Sequence, residues 1–325
     1  MTVKTLSISS AFIWRRVHSL MGFWLVLYLA IHLLTNSQAA LWIGDDGSGF
    51  VRLVNFLEEI PYLQVVETVL IGIPLVVHAV WGVKRALQAR CNDTGSNGHT
   101  PSLSYSRNRA FTWQRLSSWI LLFGIIGHVA QMRFLDAPTK TPSAKGERFL
   151  TKLNFDEGLY TLAPRLHADL FYAPDIVDAR FALQEMDSLA LQAPRKSNQF
   201  VPETEGKLAE IQEALQEKAF LEKLASFSLK QNQVVAVSKT PGTAFLLMVR
   251  ETFKSPLMAA LYTIFVLAAV FHACNGFWTF LITWGLILSY RSQKAMLPLS
   301  LAMMFVLSFL GLAAIWCSYW VNLRY

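Results

Sequence analysis

The chain has 325 residues, a formal net charge of +7, 53% hydrophobic residues and 13% aromatic ones. Such an apolar composition excludes an ordinary soluble domain of this size, because the excess sits in long uninterrupted runs. The positive charge is not a nucleic-acid footprint either, since it follows the ends of those runs instead of forming a patch or stripe.

Taken in chain order, the first apolar run covers 14–37. It has Arg15 and Arg16 at its front and carries His18 and His32. Ser37-Gln38-Ala39 resembles a signal-cleavage site, but the run exceeds the ~7–15 residues of a secretion signal, and cleavage would discard His32. A transmembrane helix is the expectation. The second run, 62–83, holds Glu67 near one end and His78 near the other; the third, 113–135, holds His128.

Residues 136–254 interrupt the pattern. Fifteen Lys/Arg stand there against sixteen Asp/Glu, so this stretch is close to neutral and too polar for lipid. Pro138, Thr139, Thr141, Pro142 and Ser143 read as a linker. Residues 203–227 read as a helix with Leu208, Ile211, Leu215, Phe220 and Leu224 among charges. His167 has no second ligand at metal-binding spacing and is expected to be exposed or locally bonded. The function of this insert is not legible.

The fourth run, 256–288, holds His272 and is too long for one crossing. Its end, with Trp278 and Trp284, is expected to project past the hydrocarbon or tilt along the interface. The fifth run is 295–321. Each run reaches the ~20 residues needed to span a ~30 Å core. The expected fold is an all-α integral membrane protein, a five-transmembrane-helix bundle. Helices one to three lie in 1–135, an extracytoplasmic, partly helical insert in 136–254, and helices four and five in 255–325.

Outside the insert, eleven basic residues (Lys4, Arg15, Arg16, Lys84, Arg85, Arg90, Arg107, Arg109, Arg115, Arg291, Lys294) fall on one side of this topology and three (Arg52, Arg133, Arg324) on the other. By the positive-inside rule the N-terminus is cytoplasmic and the C-terminus extracytoplasmic. Asp45, Asp46, Glu58 and Glu59 then lie on an outer loop.

His32, His78, His128 and His272 sit one to a helix. An ionisable side chain in hydrocarbon is costly and points to function. His32 and His128 each lie about 8 Å from the outer end of their helices, and His78 about 9 Å from the inner face. His272 lies about 24 Å down its helix, which leaves ~6 Å to the same inner face. His32 thus matches His128 in depth, and His78 matches His272. Two imidazoles can clamp a haem iron from both sides, so two such pairs suggest two haems. A haem-free proton relay is the competing reading. Relays usually set carboxylates beside the histidines, and only Glu67 is within a span. Cys91, Cys274 and Cys317 are far apart, and no Cys-x-x-Cys-His occurs, so haem would be held without covalent attachment.

Several strings around these histidines resemble the cytochrome b558 membrane-anchor subunit of succinate dehydrogenase in its single-chain, five-helix, di-haem form. They are Trp14-Arg15-Arg16-Val17-His18-Ser19-Leu20, Ile31-His32-Leu33, Pro74-Leu75-Val76-Val77-His78-Ala79-Val80-Trp81-Gly82, Gly127-His128-Val129 and Phe271-His272-Ala273-Cys274-Asn275-Gly276-Phe277-Trp278. Thr283-Trp284-Gly285 and Arg291-Ser292-Gln293 continue the match. The resemblance covers about 1–135 and 250–325; no string covers the insert.

The resemblance implies the pairing that depth suggests, with His78 and His272 as ligands of an inner haem b and His32 and His128 of an outer one. It implies a flavoprotein and an iron–sulfur subunit docked on the cytoplasmic face of a bacterial inner membrane. It also implies membrane quinone as electron acceptor, menaquinone by the two-haem form. The chain would be an electron-transfer and quinone-reactive enzyme subunit, with succinate chemistry on a partner. His18, Arg15 and Arg16 are candidate contacts of a haem propionate or of quinone, Arg115 is a further propionate candidate, and Glu67 is a candidate quinone and proton site. The ligating rings would donate their second N–H to a backbone carbonyl or a Ser/Thr hydroxyl. A cytochrome b of a quinone-linked hydrogenase or formate dehydrogenase is the alternative with haem kept; the motif strings argue against it. Direction of electron flow and oligomeric state are not encoded.

Overall fold

The computed structural model describes residues 9–88, 106–192 and 205–324. Lys4, Arg90 and Cys91 lie outside them, as does the side chain of Arg107. In chain order the helices are α1 (Ser10–Ser37), α2 (Ser48–Glu58), α3 (Leu63–Glu67), α4 (Ile73–Gln88), α5 (Ser106–Val129), α6 (Gly158–Arg165), α7 (Ala173–Gln192), α8 (Glu205–Ala225), α9 (Pro241–Thr252), α10 (Pro256–Thr283) and α11 (Tyr290–Arg324). Strands β1 (Thr139–Thr141), β2 (Arg148–Asn154), β3 (Ala168–Phe171) and β4 (Gln233–Ser238) lie between α5 and α9. The described parts of the chain form two compact units.

The first unit takes in the described parts of Met1–Gln38, Glu59–Val129 and Leu257–Cys317 and is an all-α membrane bundle. Among the described residues five helical segments are long and apolar enough to cross a membrane: Ser10–Ser37, Leu63–Gln88, Arg109–Leu135, Pro256–Thr283 and Tyr290–Arg324. Ile31, Ile264 and Phe305 leave half or more of their surface uncovered, as side chains facing lipid do. The first span starts where the Ser9 side chain accepts the Phe12 N–H at 3.3 Å.

The second span is continuous only through a π-helical turn, Thr68–Gly72, that joins α3 to α4. Such a turn rearranges the carbonyl ladder, and the indole N–H of Trp24 on α1 donates to one of its carbonyls, that of Leu70. A hydrocarbon-buried carbonyl is thereby satisfied by a neighbouring helix. A second π-helical turn, Ala130–Leu135, prolongs α5. Helix α10 ends at Thr283, and the chain turns at Gly285, whose φ is +73°. Trp278 stays within α10, and the end of the run 256–288, with Trp284, is a turn. Its physical reason is glycine, which adopts positive φ without strain.

The second unit holds Ala39–Glu58, Ala130–Pro256 and the described part of Ser318–Tyr325. The expected helix of 203–227 is α8, but the insert also carries a four-stranded sheet in the order β1-β2-β4-β3, every pair antiparallel. Both faces are covered. Leu150, Val235 and Val237 pack against Ile176 and Ala179 of α7 and Phe220 and Leu224 of α8. Leu153, Val234 and Ala236 pack against Leu159 and Ala163 of α6 and Leu247 of α9. Central β4 is thus a continuous buried run, each large side chain contributing about 1.5–3 kcal/mol by burial. Only the C-terminal half of the apolar stripe on α8 enters this core; Leu208, Ile211 and Leu215 are exposed.

The loop between the first two spans also belongs to this unit. Its helix α2 lies against α9, and the Asn55 carboxamide oxygen accepts the Gly242 N–H at 2.8 Å. That bond satisfies one of the orphan donors at the start of α9. Gly242 is required there, because a Cβ would stand 2.4 Å from the Val51 carbonyl oxygen. Arg165 of α6 pairs with Asp46 of the same loop at 2.7 Å. Arg250, largely buried, meets Asp156 at 2.9 Å, and Lys254 meets the same carboxylate at 2.7 Å. Burial alone would raise the Asp156 pKa, but these two cations outweigh it and hold it down to about 2.

Candidate functional site

Four of the intramembrane histidines form two couples. The rings of His32 (α1) and His128 (α5) have centroids 5.9 Å apart and planes at 83°. Those of His78 (α4) and His272 (α10) are 6.1 Å apart, also at 83°. The couples are the ones matched in depth along the helices.

In each ring Nδ1 has a partner within the protein. Nδ1 of His78 lies 3.1 Å from the His18 carbonyl oxygen; a carbonyl only accepts, so this Nδ1 carries the proton. Nδ1 of His272 lies 3.2 Å from the Ser117 hydroxyl. Nδ1 of His128 lies 3.2 Å from the Tyr262 hydroxyl, and Nδ1 of His32 lies 3.5 Å from the Tyr28 hydroxyl. Engaging Nδ1 leaves Nε2 as the atom able to ligate a metal.

The backbones behind two rings are pinned as well. Gln114 donates to the His272 carbonyl at 3.1 Å and accepts from Asn275 at 2.8 Å. Asn36 donates to the His32 carbonyl at 2.8 Å.

These residues fit haem iron. With metal–imidazole bonds of about 2.0 Å and ring centres about 1.1 Å behind the nitrogens, two imidazoles sharing a metal have centroids roughly 6.2 Å apart. Both couples stand near that separation. Among the described residues no cluster of three or more His, Cys, Asp or Glu could hold an ion by itself. Two facing imidazoles suit a metal that brings its own equatorial donors, as an iron porphyrin does.

The other expected residues lie as follows. His18 is stacked on His78, centroids 4.0 Å apart and planes at 9°. Arg15 is exposed, and Arg16 lies 3.6 Å from the centre of the Phe12 ring. Arg115 lies 5.7 Å from the Phe111 ring. Half-buried Glu67 ends α3, next to the π-helical turn. His167 takes a positive φ of 52° after α6.

Sequence reading missed Tyr28, Tyr262, Ser117 and Gln114 as individuals; it expected a backbone carbonyl or a Ser/Thr hydroxyl behind each ring, and two of the four partners are tyrosines. Tyr28 had a local signal, four residues before His32 on one helix face. The other three are distant in the chain from the histidine they serve.

Fold and site together define an all-α membrane bundle with two facing intramembrane histidine couples. In particular, the chain is similar to the succinate dehydrogenase cytochrome b558 subunit of Bacillus subtilis (strain 168), at 23% identity over 305 residues, covering 94% of this chain and 95% of that one. This is the family suggested by the motif strings. No family model and no solved structure matches the chain.

Proposed function

We propose that this chain is the cytochrome b membrane anchor of a succinate:quinone oxidoreductase, carrying electrons from an iron–sulfur partner across two haem levels to quinone. The observation that carries the reading is the pair of histidine couples near 6 Å, each ring held at Nδ1 and free at Nε2. The similarity to the Bacillus subtilis subunit over nearly the whole chain supports the same assignment.

His78 and His272 would hold the inner haem b and His32 and His128 the outer one. Held by these imidazoles, haem would supply one-electron carriers, and bis-histidine ligation would leave no position for oxygen. The protein's part is to fix ring planes and raise ligand basicity through the Nδ1 bonds, and to exclude water with apolar helices. His18, stacked on His78, and His32 are fourteen residues apart on α1, about 21 Å along that helix.

Glu67, near the outer end of the second span, would hold a proton for quinone reduction. Arg16 and Arg115 would offer positive charge to propionates near the inner face. The N-terminus would be cytoplasmic, and the basic inner loops would dock the flavoprotein and iron–sulfur subunits. Menaquinone is the acceptor we favour.

The test is the absorption spectrum of the purified complex with succinate as reductant. A b-type α-band that titrates in two steps is expected; its absence would overturn the reading.

A further inference from the structure

Two helices carry the same short pattern. His18 is followed four residues later by Gly22 on α1, and His78 by Gly82 on α4. A spacing of four puts histidine and glycine on one helix face.

The helices cross antiparallel. Trp14 stacks on Trp81, His18 on His78, and Trp24 bonds Leu70, so contacts climb one helix as they descend the other. At the crossing each imidazole lies over the other helix's glycine. A Cβ on Gly22 would stand 2.7 Å from His78 Cε1, and one on Gly82 would stand 3.6 Å from His18 Cε1. The two rings stack at 4.0 Å, nearly parallel, and the His18 carbonyl accepts a hydrogen bond from His78 Nδ1–H.

We propose that His18 is a positioning residue. With Gly22 it clasps the His78 ring and sets the angle between the imidazole planes of the inner couple. This rests on the anchor reading above.

The physical reason is torsional. The χ2 of histidine is a broad, shallow torsion, and one hydrogen bond at Nδ1 leaves the ring free to rock about that bond. A parallel ring against one face and a glycine backbone close by remove the freedom. The described aromatic neighbours of the outer couple are farther off: Tyr28 lies 5.5 Å from His32 at 29°, Tyr262 meets His128 edge-on at 74°, and Phe265 lies 5.9 Å from His128 at 40°. Nδ1 of His18 is itself buried without a hydrogen-bond partner, so packing against His78 and α4 places this ring. The carbonyl bond survives any substitution of His18, which lets the ring's contribution be read alone.

The mutual angle of axial imidazole planes sets the anisotropy of a low-spin ferric haem signal, and planes near perpendicular give the most anisotropic one. The test is low-temperature electron paramagnetic resonance and optical redox titration of the purified complex. His18→Ala is expected to lower the largest g value of the inner haem and shift its midpoint potential, leaving the outer haem unchanged. His18→Phe, which keeps a ring and loses both nitrogens, is expected to restore both. Gly22→Ala is expected to displace His78 and lose or reorient the inner haem alone.

An unchanged inner signal in His18→Ala overturns the proposal. So does a His18→Phe variant that matches His18→Ala, since that result assigns His18 to a propionate through its nitrogen. Failure of His18→Phe to assemble overturns it too, because a stacking role is met by either ring. Each of these leaves a two-haem complex standing in the wild type, whereas a wild-type complex without the α-band sinks the anchor reading itself.

Discussion

Ser117 and His272, 155 residues apart in the chain, meet at 3.2 Å between the serine hydroxyl and Nδ1. This contact orients a ring that has to face His78. Ser117→Ala removes it without adding bulk. Lost outer-sphere partners typically cost 10–100-fold in metal affinity. We expect the variant to shed its inner haem at chelator or detergent levels that leave the outer one in place, as measured by haem content per polypeptide after gel filtration.

The two couples share no residue, so they should fail one at a time. Replacing His78 or His272 with leucine is expected to halve the haem content by removing the inner haem. Replacing His32 or His128 should halve it by removing the outer. Pyridine haemochrome assay and the redox titration distinguish the cases by amount and by the surviving step. A variant that keeps both haems refutes that histidine as a ligand.

Gly242→Ala places a methyl group 2.4 Å from the Val51 carbonyl oxygen, where backbone cannot yield cheaply. It also disturbs the Asn55 cap of α9. We expect about 2 kcal/mol of destabilisation in the extramembrane unit, and about 1 kcal/mol for Asn55→Ala. Limited proteolysis of the intact protein in detergent would read this as faster cleavage within 130–256, with haem spectra unaltered.

Asp156 has its pKa lowered from 3.8 to about 2 by Arg250 and Lys254, despite burial. A depressed carboxylate pKa contributes stability that is full above about pH 4 and disappears as pH falls through about 2. Protease resistance of the extramembrane unit should therefore decline across that window. Asp156→Asn should remove this component of the pH dependence and cost about 1–3 kcal/mol at neutral pH, since Arg250 loses its partner. A wild-type profile in the variant would contradict the ion pair's role.

Glu67→Gln keeps size and polarity but cannot deliver a proton. Loss of a positioned general acid typically slows a step about 10²-fold or more. We expect both haems to be present and reducible by succinate, while quinone reduction by the complex falls by about that factor. Full quinone turnover in this variant would exclude Glu67 from the proton path.

The histidines, the five spans and the pairing by depth were legible because each is a property of its own run. The cost of an imidazole in hydrocarbon and the rise per residue act locally, so His32, His78, His128 and His272 declare themselves without knowledge of neighbours. The sheet was not legible. Val234–Val237 is a short buried run, and periodicity cannot tell such a strand from a piece of buried helix. On α8, Leu208 and Phe220 read alike, yet one is exposed and the other lies in the core. Nor could sequence choose which hydroxyl, carbonyl or glycine backs each ring. Ser117, Tyr262 and Gly22 meet histidines on other helices, and only the packing of α1, α4, α5 and α10 decides which of many equivalent side chains arrives within hydrogen-bond distance.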